Sequence, residues 1–242
     1  MTRYGVVGAG RMGLALARAI AATGEPVLVA RTRPGPTAGL APLDQVCREC
    51  DVVLLAVPFP VALALLSGPT GRCGRGRTLV DATNPRLGRH AAPPPGGGPG
   101  AELLARAAPS WRVVKAFNTV PAAQVASGRL AGGPVSVPVA GEPAAKREVF
   151  ALARRLGFEP VDAGGLQDSG EVESLAVLLS RISDAHGLCG RIGIHIVQTV
   201  LDGSEGGSGS RRLGRRDLLG EAVEQPEHAV LQPARVPLHA QQ

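Results

Sequence analysis

The segment Gly8-Ala9-Gly10-Arg11-Met12-Gly13 points most directly to chemistry. It matches G-x-G-x-x-G, a pattern that is weak alone and informative in context. Here an apolar strand, Tyr4 to Val7, runs into it, and a helix rich in Ala and Leu, Arg11 to Ala22, runs out of it. In that setting Gly8 permits a tight turn, Gly10 lets backbone approach a diphosphate, and Gly13 lets the helix pack closely on the strand. The free N–H groups of the first helical turn, around Arg11 and Met12, add partial positive charge where phosphates would lie. The expected ligand is a dinucleotide.

The end of the second strand, Pro26 to Ala30, selects among dinucleotides. Sites for NAD place a carboxylate there to hold the ribose 2′-hydroxyl. This chain instead reads Arg31-Thr32-Arg33, with no acid before Asp44. An acid would repel a 2′-phosphate, whereas two guanidiniums and a hydroxyl bind it through charge-assisted hydrogen bonds. The reading is NADP(H).

Three more segments fall at carboxyl ends of expected strands, where open α/β sheets bind ligands. They are Ala56-Val57-Pro58-Phe59-Pro60, Asp81-Ala82-Thr83-Asn84-Pro85 and Lys115-Ala116-Phe117-Asn118-Thr119-Val120-Pro121. Each is also explicable as caps and turns, Asp81 and Asn84 especially. Their recurrence at successive strand ends makes Val57, Pro58, Asn84, Ala116, Asn118 and Thr119 candidates to line a cavity for a planar ring.

The elements that must hold these residues alternate. Strands are expected at Tyr4 to Val7, Pro26 to Ala30, Asp51 to Val57, Thr78 to Asp81, Arg112 to Phe117, Val135 to Ala140 and Glu159 to Asp162. Helices are expected at Arg11 to Ala22, Pro60 to Leu66, Ala101 to Ala108 and Ala144 to Leu156. Asp168 to Leu201 has helical apolar spacing, weakened at Gly187 and Gly190. The fold class is α/β: a Rossmann-type doubly wound parallel sheet with a C-terminal helical segment. Residues 1–202 form the expected domain. Residues 203–242 are rich in Gly, Ser, Arg and Pro and have the composition of a disordered tail.

Composition narrows the class further. Aromatic residues are 2% of the 242, so Ala, Val and Leu must build the core. The formal charge of +6 arises from arginines scattered along the chain, Lys115 and Lys146 being the lysines. Nucleic-acid binders cluster such charge or interleave it with aromatic platforms. Neither pattern occurs, and no nucleic-acid partner is expected. No apolar run reaches the roughly 20 residues of a bilayer span, and nothing at the start reads as a secretory leader. Cys47 and Cys50 form a CxxC, read as two small apolar residues on one face of a short helix; no second ligand pair completes a metal site. A reduced, cytoplasmic setting is expected.

In order along the chain, GAGRMG, AVPFP, DATNP, VVKAFNTVPA, VPVAGEPAAKREV and LGFEPVDAG resemble the NADPH-dependent coenzyme F-420 reductases. The resemblance runs from Met1 to about Val197. The STEAP oxidoreductase domain is a relative, and pyrroline-5-carboxylate reductase shares the N-terminal portion. The resemblance implies direct hydride transfer between NADP(H) and a deazaflavin, chemistry that needs ring positioning more than acid–base groups. No catalytic side chain is therefore assigned. It also implies a ring-facing Asn118, where some members carry His, able to donate to a ring carbonyl. Asp168-Ser169-Gly170-Glu171 departs from the Arg that the family often shows after its VDAG segment. Family members are commonly homodimers, which makes the apolar C-terminal helix a possible interface. Two other readings stay open: an NADPH-dependent flavin or ferric reductase, and a non-catalytic NADP(H)-binding sensor.

Overall fold

In a computed structural model of the chain, the described residues are 1–32, 39–87, 94, 96–130 and 133–197. Short strands run in register: β1 (Tyr4–Val7), β2 (Val27–Ala30), β3 (Val52–Leu55), β4 (Thr78–Asp81) and β5 (Arg112–Lys115). Later come β6 (Arg129–Leu130), β7 (Gly133–Pro134), β8 (Ser136–Gly141) and β9 (Glu159–Asp162). Among the described residues, seven strands form one sheet in the order β2-β1-β3-β4-β5-β8-β9. β6 and β7 make a separate two-residue hairpin that the sequence pattern did not suggest.

Side-chain alternation explains the double winding. Val6, Leu54 and Val80 enter one apolar layer, together with Leu16 and Ile20 of α1 (Arg11–Ala22) and Val149 and Leu152 of α5 (Pro143–Arg155). Their neighbours Val7, Leu55 and Leu79 enter the other layer. There they meet Val46 and Cys47 of α2 (Leu43–Glu49), Ala62 and Leu66 of α3 (Phe59–Leu66), and Leu104 of α4 (Gly100–Ala107). Both faces of each strand are covered, hence the continuous apolar runs.

Two further departures from the sequence expectation concern β8 and the C-terminal helix. β8 runs antiparallel to β5, pairing Val114 with Gly141 and Lys115 with Ala140, so β8 and β9 form a reversed edge on a parallel sheet. The C-terminal helix is also shorter than expected. α6 spans Ser169–Ala185 and stops ahead of Gly187 and Gly190, which take left-handed φ of 60° and 77°. Residues 186–197 are not helical. The apolar residues there belong to a chain laid against β8, where the Ser136 N–H donates to Ile194 O and the Ile196 N–H donates to Ser136 Oγ.

The short helix expected at the CxxC is α2; Cys47 lies in its last turn, whereas Cys50 is the extended residue just past its end, and both are buried. Arg77 closes that helix by donating to the carbonyls of Cys47, Arg48 and Cys50, while its guanidinium lies 5.4 Å from the Trp111 ring centroid. Burial pushes the Cys47 thiol up to about 12, helped by the neighbouring Cys73, and the Cys50 thiol to about 11. The thiolate is the reacting form, so both stay protonated at neutral pH. Iodoacetamide at pH 8 should therefore label the exposed Cys189 first and leave Cys47 and Cys50 unmodified until denaturant is added. Rapid labelling of Cys47 in the folded protein would contradict this packing.

Candidate functional site

The chain leaves β1 for β2 on one side and returns to β3 on the other, so a crevice opens at the carboxyl ends of β1 and β3. The glycine loop occupies that crevice, and its three glycines have different reasons to be glycine. Gly8 has φ 123°, and a Cβ there would lie 2.4 Å from the Ala56 carbonyl oxygen at the end of β3. A Cβ on Gly13 would come within 1.8 Å of Gly8 O, the contact that seats α1 on β1. A Cβ on Gly10 would meet nothing within 4 Å. Packing thus explains Gly8 and Gly13. Gly10, which caps α1 at φ −87°, is bare without any structural need, as expected where a ligand's diphosphate approaches.

A cavity of about 330 Å³ starts at this loop, lined by Gly8, Ala9, Gly10, Arg31, Thr32, Ala56, Val57 and Pro58. Arg31 and Thr32 stand at the end of β2, as the 2′-phosphate reading requires; Arg33 lies outside the described residues. A second cavity of about 330 Å³ lies over the ends of β4 and β5. Met12, Ala82, Asn84, Asn118 and Thr119 form one side of it, and Ala176, Leu179 and Ser183 of α6 the other. An open groove along α1, with Arg11 and Arg18, joins the two: it shares Ala9 and Gly10 with the first and Ala122 with the second. The glycine loop, the β2 end, the β3 end and the two amide segments are thus brought to one side of the sheet. Ala116 is not among the lining residues. It is buried in the apolar layer, and its N–H continues the ladder to Asp81 O.

The amides are less available than the sequence suggested. Asn118 Nδ2 donates to Asn84 Oδ1 and to Val172 O, both at 3.1 Å, so both its hydrogens are spent within the protein. Asn84 Nδ2 donates in turn to Asn118 O at 2.9 Å. The Asn118 amide therefore holds α6 to the β5 end and cannot also donate to a ring carbonyl. Phe117, just before it, is buried with φ 61°, a left-handed turn that a large side chain adopts only when its surroundings compel it. Its ring is anchored edge-on to Phe158, with centroids 6.0 Å apart. That anchor turns the chain so that Asn118 and Thr119 reach the cavity.

Beneath the amides lies an ion cluster that sequence reasoning missed. Lys115, 0% exposed, donates to Asp81 Oδ2 at 2.9 Å and to Thr83 O at 2.7 Å, and its ammonium pairs with Glu173 Oε1 at 3.1 Å. Glu173 also accepts from the N–H groups of Gly100 and Ala101, the start of α4. Asp81 accepts from the Thr83 N–H at 2.8 Å. One ammonium thus faces two carboxylates, and the extra negative charge faces a helix N-terminus. The available signal was an Asp and a Lys ending adjacent strands at one register, Asp81 opposite Lys115. Glu173, far off in sequence on α6, gave none.

Removing one member of such a cluster leaves uncompensated buried charge. Lys115→Met should cost about 3–5 kcal/mol of stability. Adding Asp81→Asn and Glu173→Gln should recover part of that loss, the coupling expected of residues in one network. Urea melts of the single and triple variants give the comparison; additive losses would show that the three side chains act separately.

The sequence family described as coenzyme F420-dependent NADP oxidoreductase matches residues 3–85. Metalloreductase STEAP3 of Rattus norvegicus is 30% identical over 188 residues, covering 73% of this chain. The chain spans 37% of that relative's length. Among solved structures, a protein of Arthrobacter sp. FB24 described as an F420-dependent NADP-reductase superposes with a TM-score of 0.72 at 27% identity. That match covers 82% of this chain and 100% of the other. The Sinorhizobium meliloti protein SMa0349 is 33% identical, with a TM-score of 0.60 over 70% of this chain and 88% of its own. No helix among the described residues is long and apolar enough to cross a membrane. By the family match, residues 3–85 of the chain belong to the coenzyme F420-dependent family of NADP oxidoreductases.

Proposed function

We propose that this protein transfers a hydride between NADP(H) and a deazaflavin, coenzyme F-420. The observation that carries the dinucleotide part is the loop itself: Gly10 is open on a side that no protein atom fills, beside Arg31 and Thr32 at the β2 end. When bound, the dinucleotide would supply the hydride that the deazaflavin accepts. The chain's own part is positional. The N-terminus of α1 and Gly10 would hold the diphosphate, Arg31 and Thr32 the ribose phosphate, and Val57 and Pro58 the wall between. Met12, Asn84 and Thr119 would bound the ring site, with α6 closing it from above.

The deazaflavin part is supported by the family description and by the Arthrobacter protein. The apolar helix wall, Ala176 and Leu179, suits a flat ring and keeps water from its face. The likeness to STEAP3 favours a second reading, reduction of a flavin or ferric acceptor by NADPH. Purified protein mixed with NADPH and coenzyme F-420 should show loss of nicotinamide absorbance, and flavin in place of F-420 should not. The opposite pattern would establish the second reading. Binding of NADPH with turnover of neither acceptor would leave a sensor.

Two variants test the dinucleotide site separately. Gly10→Ala should leave the melting temperature unchanged yet weaken NADPH and NADH binding alike, since the new methyl enters only ligand space. Arg31→Ala should weaken NADPH binding about tenfold, or about 1.4 kcal/mol, and leave NADH unaffected. Calorimetric titration reads both, and equal losses for the two nucleotides in Arg31→Ala would remove Arg31 from the 2′-phosphate.

A further inference from the structure

The groove between the two cavities is more basic than a passage for one dinucleotide needs. It is an open trough of about 550 Å³ lined by Ala9, Gly10, Arg11, Leu14, Ala15, Arg18, Ala122 and Ala123. Arg11 and Arg18 stand seven residues apart on α1, almost two full turns, so they project from nearly the same face about 10 Å apart. α1 has no acidic residue, and neither guanidinium has an ion-pair or hydrogen-bond partner among the described residues. The other lining side chains are small or apolar. The groove therefore presents two uncompensated cations over a bare alanine floor.

One of them is explained by the dinucleotide. Arg11 opens α1 next to Gly10, within reach of a diphosphate there. A dinucleotide joining the Arg31 end to the Asn84 and Asn118 cavity crosses the sheet edge at the loop. Arg18 lies two turns down the helix, about 10 Å off that path. The trough containing Arg18 shares Ala122 with the ring cavity. A molecule whose ring sits in that cavity can lay a side chain along the trough past Ala122.

We infer that Arg18 and this trough bind the anionic arm of the ring-bearing substrate, a phosphoryl or carboxylate group joined to a planar redox ring. The inference rests on the hydride-transfer reading above and adds the residue and the surface that select a ring bearing such an arm. A ring with such an arm is selected over the same ring without one, by a charge-assisted contact in open solvent that salt weakens.

The test compares rings with and without the arm: coenzyme F-420, whose arm carries a phosphodiester and carboxylates, against its arm-free deazariboflavin chromophore, and FMN against riboflavin. For whichever ring is reduced, KM should be lower with the arm, by about fivefold or more at low salt. Arg18→Gln should abolish most of that preference by raising KM for the armed form, with kcat little changed. Raising salt should erode the preference in the unaltered protein and not in the variant. NADPH affinity, measured in parallel, should be the same in both proteins. Turnover with no dependence on the arm, or an equal loss for both forms in Arg18→Gln, would overturn the inference and leave the hydride-transfer reading standing. A fall in NADPH affinity with Arg18→Gln would assign the trough to the dinucleotide instead. NADPH binding with no turnover of either ring pair would remove the reading and the inference together.

Discussion

The ammonium of Lys115 is the point on which the site's geometry depends. In one buried spot it joins the ends of β4 and β5, the loop that carries Thr83 and Asn84, and through Glu173 the first turns of both α4 and α6. Placing a charge there is costly, because desolvation in a dry interior rivals or exceeds the attraction recovered. The cost is offset by two carboxylates against one ammonium and by the backbone groups that bond to all three side chains. Such a cluster adds little net stability over an apolar substitute, but it fixes direction. An apolar core would let α6 slide or rotate over the sheet, whereas four elements converging on one nitrogen allow a single arrangement. The Asn118 amide repeats the constraint one layer higher by donating to Val172 O, beside Glu173.

The glycine loop shows the same division between packing and binding. Gly8 and Gly13 are required by the fold, since a side chain at either would strike backbone oxygen. Gly10 is required by nothing in the protein. A turn that served only to connect β1 to α1 would have no reason to be bare at the one position facing outward. The cation at the end of β2 and the absence of acid on α1 agree with this. Along the side where the dinucleotide is proposed to lie, Gly10 carries no side chain and α1 carries no negative charge.

How much of this was legible in the sequence depended on the range of the interactions. The limits of β1, α1, β4 and β9 were readable because local signals set them: an apolar run, the glycine pattern, an Asp ending a strand. The reversal of β8 was not, because a doubly buried strand looks the same in either direction, and only pairing with Val114 and Lys115 shows which way it runs. The C-terminal helix was overextended for a related reason. Ile192, Ile194 and Ile196 continue an apolar pattern, but they serve an extended segment packed on β8, and Gly187 and Gly190 stop the helix before them. Lys115 and Asp81 were visible as residues at strand ends, yet their partner Glu173 is distant in the chain. The left-handed turn at Phe117 had no signal at all, since neither Gly nor Asn marks it.

On the proposed hydride-transfer reading, these constraints account for a site with no metal-ligand cluster among the described residues and no acid or base aimed into the cavity. Hydride transfer moves no proton at the reacting carbon and needs no general base within hydrogen-bond reach; it needs two rings held at contact distance with water excluded. The titratable groups nearest the ring cavity, Lys115, Asp81 and Glu173, are instead buried and bonded to one another, which keeps their charge away from the ring face. Asn118 spends its hydrogens on the protein and offers none to a ligand. The side chains that bound the cavity are therefore small, amide or aliphatic, and the work of the site passes to the elements behind them. The rate of such a site should depend on how firmly α6 is held over β4 and β5, a property set by a lysine that no ligand touches.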